Sequence, residues 1–157
     1  MVNQKEGTKH NSIITFKVGD EEYAADNSEV VTIIPIQAVA QKEGLTFDLI
    51  VNLPTGVGRS SVLDMHDCMR VPRKEITEES RLIVVETHNL KYAFLVDKVN
   101  ELIQTEKEVD EAVELKRVSS RGGVLVYDGI LDNSPVKMIS FDQIIREDIM
   151  KPGSRHQ

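Results

Sequence analysis

The 157-residue sequence predicts a mainly β fold, two similar barrels of five or so short strands packed against each other, and three observations point to it. Valine plus isoleucine number 33, against 17 for leucine plus alanine. Branching at Cβ restricts side chains in helices and suits the pleated surface of a sheet. The pattern of the first half then returns in the second. A shift of 69 residues places Ile13-Ile14 on Leu82-Ile83, Tyr23-Ala24 on Tyr92-Ala93, Val30 on Val99 and Ile33-Ile34 on Leu102-Ile103. Each repeat is too small to bury enough surface alone. Closing its strands into a barrel removes exposed edges, and packing the two barrels together completes the core.

Residues 1–11 have no periodic apolar pattern and read as a mobile tail. Residues 13–18 form a strand, Gly19-Asp20-Glu21-Glu22 supplies a turn, and Tyr23-Ala24-Ala25 begins the return strand. Residues 30–36 are a second apolar block, cut by Pro35, and residues 47–53 a strand ending at the turn cluster 54–58. Val62-Leu63 leads into a short helix over 64–69, and 71–80, with Pro72 and mixed charge, is a linker. The second repeat follows, its later register drifting so that Leu53 answers to Leu131 and Leu63-Asp64-Met65 to Ile139-Ser140-Phe141. Residues 105–115 are acidic, a helix or a solvated loop before the Gly122-Gly123 turn. Residues 140–150 are helical: Ser140 and Gln143 have capping-box spacing, Ile144, Ile145 and Ile149 share an inward face, and Lys151-Pro152-Gly153 stops the helix. The predicted organisation is a tail (1–11), a first barrel with short helix and linker (12–80), a second barrel with C-terminal helix (81–150) and a tail (151–157).

Composition narrows the function. A net charge of −7, divided about evenly between the halves, argues against a surface that tracks phosphates, so nucleic acid is not an expected partner. The N-terminus has no apolar signal region, and no apolar run approaches the ~20 residues of a spanning helix, so no membrane insertion is expected. One cysteine excludes an intrachain disulfide framework, and the protein reads as cytoplasmic.

Residues 12–147 resemble the chemotaxis coupling-protein (CheW) family. The resemblance rests on ordered landmarks: Gly-Asp-Glu-Glu-Tyr at 19–23 as the opening hairpin, and Val51-Asn52-Leu53 as the start of an Asn-Leu-Arg-Gly motif. Val62-Leu63-Asp64-Met65, Phe94-Leu95-Val96-Asp97-Lys98-Val99 and Gly129-Ile130-Leu131-Asp132-Asn133 with 136–144 complete the set. The resemblance implies two packed SH3-like five-stranded β-barrels, short helices, no cofactor and no catalysis. It implies an adaptor linking the cytoplasmic tip of chemoreceptors to the regulatory domain of a CheA-type histidine kinase. Carried over position by position, the receptor-binding groove takes Val30, Ile33, Val99 and Leu102, and the kinase-contact corner takes Thr32, Leu53, Pro54, Thr55 and Gly56. Two departures stand out. Thr32 replaces the family's glutamate, and Pro54-Thr55-Gly56 replaces its arginine in a loop about two residues longer, with Leu49 in place of an earlier glycine. This marks a divergent member, and the same scaffold in surface motility or another kinase cascade is the alternative.

Asp64, His66, Asp67 and Cys68 are the one cluster of metal-ligand residue types, which frames a competing reading as a small metal- or ligand-binding β-barrel protein. His66 and Cys68 lie two apart and point to different sides of a helix, whereas shared ligands want spacing of three or four, so a helix-end surface cluster is favoured. Gly56-Val57-Gly58 and Gly122-Gly123 lack the flanking pattern of phosphate loops and read as turns. Tyr23 and Tyr92, being repeat-equivalent, are expected inside the barrels.

Overall fold

The computed structural model describes residues 11–36, 50–53 and 56–149. Its strands are β1 (Ser12–Val18), β2 (Glu21–Asp26), β3 (Val30–Pro35), β4 (Ile50–Leu53), β5 (Gly58–Asp64), β6 (Arg81–Thr87), β7 (Leu90–Val96), β8 (Lys98–Gln104), β9 (Glu114–Arg121), β10 (Val124–Leu131) and β11 (Ser134–Met138). Short helices α1 (Met65–Met69), α2 (Val109–Ala112) and α3 (Phe141–Ile144) interrupt them. The predicted strands at 13–18 and 23–25 are present, and the apolar block 30–36 carries β3. The stretch 47–49 and both tails lie outside the described residues, apart from Asn11.

Two curled sheets form, and the two repeats contribute to both. One sheet runs β8-β1-β2-β11-β10-β9 and the other β3-β6-β7-β5-β4. The β1–β2 hairpin of the first repeat is therefore flanked by β8 and β11 of the second, while the β6–β7 hairpin of the second is flanked by β3 and β5 of the first. The repeats exchange hairpins. A division at 80/81 separates the repeats but not the sheets, and the first sheet has six strands where five were expected. The chain crosses between sheets through a single 3-10 turn, Asn27–Glu29, and again at the lone residue Asp97. The exchange has a physical motive. Leu-Ile-Val-Val and Tyr-Ala-Phe-Leu-Val are apolar on both faces, and such strands need cover on both. Central positions pair both their edges, and the cores on either side of the sheet cover their faces.

Side-chain alternation sorts these strands into three cores. Leu82, Val84, Ala93 and Leu95 point into the five-stranded barrel and meet Ile34, Ile36, Leu53, Val57 and Val62. Because Ile34 of one edge strand and Leu53 of the other share this cluster, the sheet has curled on itself. Ile13, Ala24, Leu131 and Met138 fill the six-stranded barrel, whose end α2 plugs with Val109 and Val113 close behind it. The opposite faces, Ile83, Val85, Tyr92, Phe94 and Val96 against Ile14, Phe16, Val18, Tyr23 and Ala25, form a core between the barrels. Tyr23 and Tyr92 thus lie between the barrels and not inside them, because residues 23 and 25, like 92 and 94, occupy the strand face turned away from their own barrel. Phe141 spans this junction, with ring centroids 5.6 Å from Phe16 and 5.0 Å from Phe94.

Both repeats end in a capped helix. Asp64 accepts the His66 N–H at the start of α1, and Ser140 Oγ accepts the Gln143 N–H at the start of α3. The reciprocal half of the predicted capping box is not made: Gln143 Oε1 accepts from the Tyr127 hydroxyl instead. After Ile144 the chain loosens into a π turn, Ile145–Ile149, with Ile144 and Ile145 buried. The β9–β10 turn reaches across to α1, where the Gly123 N–H donates to the Cys68 carbonyl at 3.0 Å.

That contact makes Gly122 sensitive to substitution. Its φ is +61°, and an added Cβ would lie 2.5 Å from the carbonyl carbon and oxygen of Met69. Gly56 has φ +78° with nothing within 4 Å. Gly122→Ala is expected to cost at least about 2 kcal/mol, lowering the melting temperature by about 4–8 °C. Gly56→Ala carries only the backbone penalty of roughly 1–2 kcal/mol. Thermal unfolding of the two variants side by side checks the difference; equal shifts would show that the turn does not press on α1.

Candidate functional site

Edge strands β3 and β8 carry all four predicted groove residues. In a regular strand, residues three apart face opposite ways. Here each strand has one extra residue, Val31 in β3 and Asn100 in β8, skipped by the pairing with β6 and β1. These bulges are repeat-equivalent, 69 positions apart, and each reverses the alternation. Val30 pairs with Val85 and Ile33 with Ile83, while Val99 pairs with Phe16 and Leu102 with Ile14. All four partners belong to the inter-barrel core. Val30, Ile33, Val99 and Leu102 therefore share the inter-barrel face. Val30 is buried there, Ile33 and Val99 are half-buried at its margin, and Leu102 is 53% exposed. Val31, lifted by its bulge, is 48% exposed. Asn100 is held by Glu22 on β2, its side-chain amide donating to the carboxylate.

The predicted kinase corner is more dispersed. Thr32 pairs with Val84, so its half-buried side chain lies on the barrel side of β3. Leu53 is buried in that same barrel, and Gly56 is exposed with positive φ. Pro54 and Thr55 lie outside the described residues.

Two polar groups at this junction, one half-buried and one fully buried, were not legible in the sequence. Glu29, immediately before β3, accepts the Phe141 N–H at 2.8 Å and the Ser140 hydroxyl at 2.9 Å, so it caps α3 from the turn that joins the two sheets. Burial pushes its carboxyl above the ordinary value, outweighing the hydrogen bonds from Phe141 and Ser140. His66 is the other. It is 1% exposed, not part of a surface cluster, with Nδ1 2.5 Å from Asp64 Oδ1 and Nε2 2.8 Å from Asp97 Oδ2. Burial, the largest single influence, opposes its charge, but hydrogen bonds and attraction from Asp97 and Asp64 together raise its pKa. Both ring nitrogens are thereby occupied. Asp67 instead pairs with Arg73, and Cys68 is buried. Among the described residues no group of three His, Cys, Asp or Glu is placed to hold a metal ion. No helix among them is long and apolar enough to cross a membrane.

Comparison with known proteins places residues 12–148 under a family model described as the CheW-like domain. The chain is 29% identical over 105 residues to a chemotaxis protein CheW of Bacillus subtilis, covering 65% of this chain and 66% of that protein. Its fold is similar to the crystal structure of a scaffolding protein CheW from Thermoanaerobacter tengcongensis, with a TM-score of 0.65 at 19% identity, covering 86% of this chain and 87% of that one.

Glu29 provides a stability test. A carboxyl whose folded pKa is raised gives its full contribution below the unfolded value of 4.5 and loses it as pH rises through the folded value. Glu29→Gln keeps an acceptor for the Phe141 N–H and removes the buried charge, so at neutral pH its melting temperature should equal or exceed the parent's. Glu29→Ala leaves that N–H unpaired and should cost about 1–3 kcal/mol. Calorimetry of both at neutral pH separates a cap from a bystander, for which the two would behave alike.

Proposed function

The chain belongs to the CheW-like domain family, and from that premise we propose that it is a non-catalytic scaffold of chemotaxis signalling. It couples the cytoplasmic tip of chemoreceptors to the regulatory domain of a CheA-type histidine kinase. The observation that carries this reading is the pair of bulged edge strands. They turn Val30, Ile33, Val99 and Leu102 toward one face, and an apolar face graded from buried to exposed suits the side of a receptor helix, where interface cores are apolar and depleted of charge. The bulges also matter for solubility, since a twisted, interrupted edge is a poor template for unwanted strand pairing.

The kinase contact falls to the corner around Thr32, Leu53, Pro54, Thr55 and Gly56, where the departures from the family lie. Thr32 brings no charge to it. An exposed ion pair contributes only ~0–1 kcal/mol to folding, so its absence leaves the fold intact. Charges at interfaces act mainly on partner choice and encounter rate. This favours retargeted or weaker kinase binding relative to a typical member, and it keeps open the same scaffold in another kinase cascade.

Two measurements test the proposal. Titration of the protein against a CheA-type regulatory domain and a receptor-tip fragment should give binding to both within tens of micromolar, and Val99→Met should weaken the receptor interaction without loss of fold. Binding to neither partner removes the coupling function. In the same assay, Thr32→Glu combined with Thr55→Arg should change kinase affinity about tenfold or more, on the order of 1.4 kcal/mol. A flat response in a folded double variant makes the divergence neutral.

A further inference from the structure

The buried Asp64–His66–Asp97 row sits where the two barrels meet, and its geometry has a chemical consequence. A carboxylate oxygen can only accept a hydrogen bond, and a neutral imidazole has only one N–H to give. His66 faces a carboxylate from each ring nitrogen, at 2.5 Å and 2.8 Å. Both contacts are hydrogen bonds only when the ring is the imidazolium. Loss of one proton turns one contact into a lone pair against a carboxylate, and at these distances that contact must open.

The three residues belong to different parts of the fold. Asp64 ends β5 and caps α1, which carries His66. Asp97 is the single residue at which the chain leaves β7 for β8 and changes sheets. Asp97 Oδ2 also accepts the Gly19 N–H of the β1–β2 turn at 2.7 Å, and its own N–H donates to the Lys17 carbonyl. The charged groups around the row are accounted for. Arg73 of the segment after α1 lies 3.6 Å from Asp64 Oδ2 and is shared with Asp67, while Lys74 pairs with Asp20 and is close enough to feel Asp97. None of them can replace the proton between Asp64 and Asp97.

We propose that His66 is a pH-responsive latch between the barrels: protonated, it ties α1 to the β7–β8 crossing and, through Asp97, to the β1–β2 turn. Deprotonation releases the crossing from which β8 starts, and with it the strand that carries Val99 and Leu102. The latch is independent of which receptor or kinase the protein engages. Its sign follows from the raised pKa of His66: its stabilisation is complete below the unfolded value of 6.5 and is lost as pH rises through the higher folded value.

The test uses the full chain. Ring-nitrogen chemical shifts of His66 followed from pH 5 to 9 should show an imidazolium with two N–H protons that titrates above 6.5. The melting temperature should fall by about 2–4 °C over that step, and amide exchange at Gly19 should rise severalfold. His66→Gln, which cannot carry charge, should abolish the pH step, and His66→Arg, which cannot lose it, should preserve latched exchange at Gly19 at high pH. A His66 that is neutral at pH 6, or a wild type and His66→Gln with the same pH dependence, overturns the proposal. If neither variant folds, the wild-type titration and Gly19 exchange decide alone: exchange that does not follow the His66 titration sinks the latch.

Discussion

Four central strands, β1, β2, β6 and β7, bury residues on both faces, and the rest of the molecule is arranged to cover them. One face of each hairpin fills its own barrel, and the other meets its counterpart across the junction. Flanking strands must then come from elsewhere in the chain, so each hairpin is held between strands of the opposite repeat. The two repeats consequently cannot part by bending a linker. Separating them would break the β1–β8, β2–β11, β3–β6 and β5–β7 pairings together. Such interlocking gives rigidity that two beads on a string lack.

The bulged edge strands follow from the same arrangement. Being added to a central hairpin from outside, β3 and β8 are the edges of their sheets. An edge strand tolerates an extra residue because only one of its sides is paired. The extra residue at Val31 and Asn100 is what brings residues three apart onto one face, so the same feature blunts the edge and builds the apolar surface. Thr32, on the other side of the bulged strand, is directed at the barrel.

Polar groups at the junction act as fastenings between pieces of chain that are distant in sequence. Glu29 closes the start of α3 from the first repeat, and His66 with Asp97 joins α1 to the sheet crossing. Burying such groups costs solvation, and paired groups of this kind often add little net stability. They are satisfied only when the two repeats are exchanged in one register.

The sequence by itself determined what is local or periodic. The 69-residue repeat, the strand at 13–18, the turns at Gly19 and Gly122-Gly123, the short helix after Leu63 and the Ser140 cap all depend on neighbours within a few residues, or on alternation along a strand. Through the resemblance of whole segments it also singled out Val30, Ile33, Val99 and Leu102, which the fold brings onto one face. Only the tertiary structure decided which strands became neighbours. Pairing β1 with β8 joins residues more than eighty positions apart, and propensity and pattern are the same whether a hairpin lies beside its own repeat or the other one. For that reason the boundary at 80/81 did not follow the sheets, and the tyrosines at 23 and 92 changed from barrel interior to junction. The partners of Glu29 and His66 were hidden for the same reason: a carboxylate or an imidazole shows its role only once the chain that supplies its hydrogen-bond partner has been brought beside it.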